Sequence, residues 1–153
     1  MDKHELVITR VFDAPRTIVW QAWTDPALIV RWIGPRGFTG EVEKLEPGIG
    51  GAYRFRLREP DGTDHWMQGI TREFVPPERL VNTYVWADAK GNPTGPETLL
   101  TIILHEDKGR TTLTLRQMLF ETVTARDAHR EGWNSSLDRL NDLIIELSAA
   151  KAN

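Results

Sequence analysis

The chain has 153 residues, a formal net charge of -3 and no cysteine. That length suits one domain with its own core and is too short for two domains and a linker, so we expect a single domain over residues 1–153. The charges are scattered without a basic stripe, which argues against a nucleic-acid partner. The lack of cysteine excludes disulfides and thiolate metal sites, and it fits the reducing cytoplasm. Because residues 1–10 carry charges and no apolar run approaches spanning length, we expect no signal peptide and no membrane contact.

The first part of the chain predicts a strand followed by two short helices. Residues 5–12 form a β-branched run that alternates along the chain, which is typical of a strand. Pro15 stands where a helix can lack an amide hydrogen, and an apolar helical stripe follows it. Pro26 repeats this signal, and the breakers Gly34 and Pro35 end the second short helix. This second helix is expected to carry Leu28, Arg31 and Trp32.

Residues 38–120 have the pattern of an antiparallel meander of strands. Turn signals such as Pro47-Gly48 and Asp61-Gly62 separate its segments. Residues 53–58 alternate apolar side chains with arginines, as expected for a sheet with one solvated face. A bulge near Gly69 would leave the facing of the residues after it open.

The last segment predicts a long amphipathic helix from about Ala125 to Ala150, which would measure roughly 39 Å. Thr124 and Asp127 are the expected capping pair at its start. Gly132 inside the helix costs roughly 1 kcal/mol relative to alanine, so it marks either a close approach of another backbone or a tolerated weak spot. Apolar residues recur at spacings of four and three, at Trp133, Leu137, Leu140, Ile144 and Leu147.

Several short motifs, in a fixed order, carry a resemblance to a known family. They are Ala14-Pro15 with Val19-Trp20, Thr24-Asp25-Pro26, Arg31-Trp32-Ile33-Gly34-Pro35, Gly50-Gly51-Ala52-Tyr53, Asp61-Gly62, Pro76-Pro77-Glu78-Arg79-Leu80-Val81, and H-R-E-G-W from His129 to Trp133. With this order and spacing, the chain resembles the heat-shock-protein-90 ATPase activator-like (AHSA-type) branch of the START-like, polyketide-cyclase-like (SRPBCC) superfamily over nearly its whole length. Glu43-Lys44 departs from the pattern, since many relatives carry an aspartate before the glycine turn.

The resemblance implies an α+β helix-grip fold. In that fold a curved antiparallel sheet, here of six or seven strands, wraps around a long C-terminal helix, and two short helices follow the first strand. The family includes ligand carriers, stress-related proteins, self-sacrificing resistance proteins and chaperone cofactors. The fold alone therefore does not select an activity, which has to be argued from the site.

Aromatic side chains are the main pointer to a binding site. The chain has six tryptophans, which combine large apolar area with one polar group and suit a cavity wall. The implied fold encloses a pocket between the concave face of its sheet and the long helix. Strand alternation predicts that six side chains point into this pocket: Tyr53, Phe55, Trp66, Gln68, Tyr84 and Trp86. Gln117 and Trp133 are expected to complete the wall, and the resemblance adds Trp32 as a lid. Each aromatic residue fits a packed core equally well, and each glutamine fits an exposed position.

The sequence gives little reason to expect catalysis, a metal or a cofactor. The four histidines lack a paired ligand spacing. His129 lies between Asp127 and Glu131, but residues two apart do not share a helix face, so we interpret the three as a solvated helix start. Ser135 and Ser136 lack the strand-to-helix elbow of a nucleophilic serine.

We therefore expect a non-enzymatic protein that binds a small hydrophobic molecule, apolar or aromatic, in a cavity between sheet and helix. One alternative is a cyclase-like or hydrolase-like enzyme that acts on a polyketide-type substrate. Another, implied by the family, is a chaperone cofactor that stimulates an ATPase, although we expect a single domain here, without the additional domain with which eukaryotic activators dock. A monomer and a weak homodimer are both open.

Overall fold

The computed structural model describes residues 4–152 of the chain, so residues 1–3 and 153 of the expected domain lie outside the described residues. Its elements are, in chain order, β1 Leu6–Phe12, α1 Arg16–Thr24, α2 Pro26–Ile29, β2 Thr39–Leu45, β3 Ala52–Arg58, β4 Asp64–Val75, β5 Arg79–Ala87, β6 Thr98–Asp107, β7 Arg110–Met118 and α3 Val123–Ala152. Within this part of the chain, no helix combines the length and the apolar character that a membrane span requires.

The strands form one antiparallel sheet of seven in the order β1-β7-β6-β5-β4-β3-β2. Strands β2 to β7 are neighbours in chain order, which is the predicted meander, and β1 pairs with the free side of β7. The apolar stripe of α3 joins the inward side chains of the sheet in one core. The predicted α+β helix-grip fold is confirmed.

The α2 helix is shorter than the sequence predicts. The side chain of Asp25 accepts a hydrogen bond from the Ala27 amide at 2.9 Å and caps its start. The helix ends at Ile29, so Arg31 and Trp32 follow it in a turn. This early end is stabilised from α3, because the guanidinium of Arg139 donates to the backbone carbonyls of residues 31, 33, 34 and 35 at 2.8–3.3 Å.

The α3 helix begins at Val123, two residues before the predicted start at Ala125. Thr122 Oγ1 accepts a hydrogen bond from the Ala125 amide at 3.0 Å, so the predicted pair Thr124 and Asp127 does not cap the helix. Its 30 residues span about 45 Å. Leu137, Leu140 and Ile144 are buried along its inner face. The helix therefore crosses the concave face of the sheet, as expected.

Gly69 lies where three strands pack most tightly. The hydroxyl of Tyr53 on β3 passes beside it and donates to the Thr83 carbonyl on β5. A Cβ atom at Gly69 would lie 2.7 Å from the Tyr53 ring and would overlap the Thr83 backbone. The bulge on β4 falls further along, between Thr71 and Glu73. Close packing, and not a bulge, is therefore the reason for glycine at this position.

We expect Gly69→Ala to lower the free energy of unfolding by about 1–3 kcal/mol, because the added methyl group must displace backbone. The measurement is urea unfolding followed by circular dichroism. Gly95→Ala is the control: a Cβ there meets no atom within 4 Å, so we expect a change within about 0.5 kcal/mol. Equal losses for the two variants would contradict the packing argument.

Candidate functional site

A cavity of about 330 Å³ lies under the first half of α3, where the helix faces β4, β5 and the loop after α2. We call it the main cavity. Its inner wall consists of buried side chains, and its rim includes the exposed residues His65 and Ala128. The complete wall is Ile33, Gly34, Pro35, Phe38, Leu57, His65, Met67, Tyr84, Trp86, Ala128, His129, Gly132, Trp133 and Ser136. Its volume is within the range of ligand pockets, about 300–1,000 Å³, at the small end.

A second cavity of about 50 Å³ lies beside the main cavity under the same helix. Tyr53 and Phe55 of β3 line it, together with residues of α1, α2, β5 and β6. The two cavities share four wall residues, which form the partition between them: Ile33, Met67, Tyr84 and Trp133. The space between sheet and helix is therefore incompletely filled on both sides of this partition.

The wall of the main cavity is apolar and uncharged in character. Among the described residues that line it, none is Asp, Glu, Lys or Arg. Aromatic rings supply much of the surface: the rings of Tyr84 and Trp86 are 5.8 Å apart and nearly perpendicular, at 89°. Such a wall suits an apolar or aromatic molecule and does not provide a counter-charge.

His129 connects the helix to the sheet at the edge of the main cavity. Its Nδ1 lies 2.7 Å from the Ala125 carbonyl oxygen, which can only accept, so Nδ1 carries the proton. Its Nε2 therefore accepts from Trp86 Nε1 at 2.9 Å. Both ring nitrogens are used and the ring is neutral. Burial lowers the pKa of His129, and the hydrogen bond to Ala125 opposes this shift in part.

The interpretation of His129 as part of a solvated helix start is wrong. The side chain is part-buried and packs against the rings of Tyr84, Trp86 and Phe120. A signal for this placement exists in the sequence. The α3 residues that line the main cavity include His129, Gly132, Trp133 and Ser136, whose spacing of three, four and seven places them on one helix face.

A chain of buried hydrogen bonds fixes Trp133 between the two cavities. Trp133 Nε1 donates to Gln117 Oε1 at 2.8 Å, and Gln117 Nε2 donates to Thr98 Oγ1 at 2.9 Å. Thr98 Oγ1 donates in turn to the Tyr84 carbonyl at 2.9 Å. Gln117 is thus fully buried behind Trp133 and lines neither cavity, so its predicted place in the cavity wall is wrong.

The predicted inward facing of Trp66 and Gln68 is also wrong. The guanidinium of Arg54, on the solvated face of β3, lies 4.2 Å above the Trp66 ring and donates to Gln68 Oε1 at 2.6 Å. Gln68 Nε2 donates to the Gly91 carbonyl at 2.9 Å on the same side. Met67, between them in sequence, is the inward residue, so the prediction assigned the alternation of β4 to the opposite face.

Of the six other predicted site residues, five line a cavity and Trp32 does not. Tyr53, Phe55, Tyr84 and Trp86 of the sheet and Trp133 of α3 each line one or both cavities, and their contact with a ligand stays a prediction.

Trp32, the expected lid, lies in the core and lines neither cavity. It is fully buried, donates from Nε1 to the Ala22 carbonyl at 2.8 Å and packs edge-on against Trp23. The three residues after it, Ile33, Gly34 and Pro35, border the main cavity instead. The predicted placement of Trp32 at the cavity mouth is therefore wrong, because its indole is packed in the core and the turn after it borders the cavity.

A family model described as "Activator of Hsp90 ATPase homolog 1-like protein" matches residues 13–144. The chain belongs to this family. The match includes the wall of the main cavity and stops short of the end of α3. No protein of curated function matches the sequence of this AHSA1-like chain significantly.

Solved structures resemble this AHSA1-like protein over almost its whole length. A protein from Chromobacterium violaceum is 27% identical with a TM-score of 0.85, and the alignment covers 94% of this chain and 98% of that one. A protein from Arthrobacter aurescens is 26% identical with a TM-score of 0.87, over 95% and 90% of the two chains. A putative protein of the dynemicin biosynthetic locus is 21% identical with a TM-score of 0.73, over 91% of this chain and 46% of that one, and shows the fold alone.

We expect the stability of this AHSA1-like protein to fall as the pH decreases below about 6.5, the ordinary pKa of histidine. Because the pKa of His129 is lowered in the folded state, the unfolded chain binds the proton more readily in this range. The contribution is complete above the unfolded pKa and is lost as the pH falls from there through the lower pKa of the folded state. Urea unfolding at about pH 7.5 and about pH 5 measures the difference.

His129→Gln is expected to reduce this pH dependence, and His105→Gln, at an exposed position on β6, is the control that should retain it. An unchanged pH dependence in His129→Gln would show that the buried imidazole is not its source.

Proposed function

We propose that this protein binds a small, largely apolar and preferably aromatic molecule in the main cavity and does not transform it chemically. The observation that carries the proposal is an unfilled space of about 330 Å³ whose inner wall is buried. Protein interiors are close-packed and hold few voids larger than a water molecule. A space of this size under the principal core helix is therefore best explained as room for a ligand.

The aromatic side chains favour a ring-containing ligand. Tyr84 presents its ring between those of Trp86, at 5.8 Å, and Trp133, at 6.2 Å. Rings pack well edge-to-face at such distances, and a further ring adds to the arrangement at a gain of about 0.5–1.5 kcal/mol per pair. The volume at the small end of the usual range favours a compact ligand over a bulky one.

The expected affinity is moderate. Burying about 200 Å² of apolar ligand surface at roughly 25 cal/mol per Å² contributes about 5 kcal/mol, which corresponds to a Kd on the order of 10⁻⁴ M. Tighter binding requires more contact area or specific polar contacts.

The wall offers little support for acid-base catalysis. Both nitrogens of His129 are held by the protein, and the described lining residues include no carboxylate. The Nε2 of His65, at the exposed rim, lies 2.8 Å from Glu59 Oε2, and burial raises the pKa of Tyr84 so that its hydroxyl releases its proton less readily. A cyclase-like or hydrolase-like reaction needs a group that can exchange a proton with the substrate. The wall favours binding over turnover on these grounds.

An amide NMR titration of the labelled protein tests the proposal. The ligands are polyketide-type aromatics, flavonoids, fatty acids and sterols. We expect saturable shifts at Met67, Tyr84, Trp86 and Gly132, and none at the indole N–H of Trp66, whose side chain lies on the opposite face of the sheet. If no ligand class gives a saturable shift at the cavity, the proposal is wrong, and the ATPase rate of a purified chaperone with and without the protein becomes the measurement to make.

Gly132 offers a variant that fills the cavity without disturbing the fold. It borders the main cavity, and a Cβ atom there meets no atom within 4 Å, so close backbone approach is not the reason for this glycine. We expect Gly132→Leu to weaken ligand binding by about tenfold or more, because the leucine occupies the ligand's space. The free energy of unfolding should not fall, because leucine is the better helix former.

Gly132→Ala is the matched control. It should stabilise the protein by up to about 1 kcal/mol and retain most of the binding. Calorimetric titration and urea unfolding measure the two quantities for each variant. Parental affinity in Gly132→Leu would show that the ligand sits elsewhere.

A further inference from the structure

Two hydroxyl groups in the wall of the main cavity have no protein partner. Tyr84 is 5% exposed and Ser136 is 3% exposed, and both line the cavity. Within residues 4–152, neither side-chain hydroxyl forms a hydrogen bond, and neither oxygen is among the fully enclosed unpaired atoms. Both oxygens therefore keep contact with open space. Ser136 borders the main cavity, and Tyr84 stands in the partition and borders both cavities.

The other buried or part-buried polar side chains of this wall are hydrogen-bonded within the protein, unlike these two hydroxyls. Trp86, His129 and Trp133 also line the main cavity, and each of their ring nitrogens is hydrogen-bonded within the protein. Buried polar groups are usually paired, and leaving one unpaired costs about 1–3 kcal/mol. Tyr84 and Ser136 are thus the buried polar positions of this wall at which a ligand can gain hydrogen bonds.

The two hydroxyls approach the cavity from different elements. Tyr84 belongs to β5 and Ser136 to α3. Their placement therefore offers ligand contacts on both the sheet and the helix. Such contacts orient a ring system as well as hold it, because they define which end of the ligand faces the buried wall.

The charge of the wall limits what these hydroxyls can bind. Burial raises the pKa of the Tyr84 hydroxyl, so the group stays protonated and can donate a hydrogen bond. A carboxylate placed here would lose its hydration, and among the described lining residues no Lys or Arg would compensate it. A carbonyl or phenol oxygen accepts the same hydrogen bonds without that penalty.

We propose that Tyr84 and Ser136 select a neutral oxygen on the ligand, so that the protein binds an aromatic ketone or phenol in preference to the corresponding hydrocarbon and to the corresponding carboxylate. The inference rests on the proposed function, since it requires a ligand in the main cavity.

Three ligands of matched shape test the selection: acetylnaphthalene, ethylnaphthalene and naphthoate, all with the same ring position substituted. Calorimetric or NMR titration of the full chain gives the three affinities. We expect the ketone to bind about three- to tenfold more tightly than the hydrocarbon, the gain of one or two hydrogen bonds to neutral groups. Naphthoate should bind more weakly than either.

Variants assign the selection to the two hydroxyls. Tyr84→Phe and Ser136→Ala should each reduce the ratio of acetylnaphthalene affinity to ethylnaphthalene affinity about threefold or more, because only the ketone uses the lost hydroxyl. Neither removes a hydrogen bond within the described protein, so both should fold. Ser135→Ala is the control, because the Ser135 hydroxyl accepts from the Arg36 amide at 2.9 Å and lies outside the wall.

The outcomes separate the two proposals. Equal binding of ketone and hydrocarbon, tighter binding of naphthoate, or an unchanged preference in both variants would overturn the selection by Tyr84 and Ser136 and leave ligand binding in the cavity standing. Failure of all three ligands to bind the parent protein would contradict the proposed function and this inference with it.

Discussion

Two large side chains of α3, Trp133 and His129, keep the helix apart from the sheet beneath it. Trp133 holds the helix above the sheet through a bulky indole whose nitrogen is fixed to Gln117, and His129 fixes it again through Trp86. Smaller side chains at these positions would let the helix settle onto the strands. Because Trp133 and His129 are large and their ring nitrogens are hydrogen-bonded inside the protein, α3 stays apart from the sheet and leaves room for the two cavities.

Much of the fold could be predicted because local periodicity carries it. Alternation along residues 53–58 and the four-and-three spacing on α3 are short-range signals, and both elements were found. The end of α2 could not be predicted in the same way. The guanidinium of Arg139 donates hydrogen bonds to the backbone carbonyls that follow this helix, and Arg139 lies more than 100 residues further along the chain. When a distant side chain determines where a helix ends, the residues around that end carry no signal for it.

The candidate site could be predicted only in part, since strand alternation does not say which face is inward. On β4 the residue types favour Trp66 and Gln68 as cavity residues, but in the structure Met67, between them, faces the cavity. An arginine from the neighbouring strand covers the indole and makes it stable near solvent. The place of His129 does not follow from Asp127 and Glu131, because the residues that share its helix face are Gly132, Trp133 and Ser136.

The partition between the two cavities has a consequence for ligand length. One of its four members, Met67, is an unbranched side chain with a polarizable sulfur, and such residues repack around irregular shapes at small cost. If the main cavity holds a ligand as proposed, a repacked Met67 side chain would let a longer molecule extend into the second cavity. The affinity for a homologous series of ligands would then decrease gradually with ligand length. A rigid wall of branched side chains would instead impose a sharp limit on length.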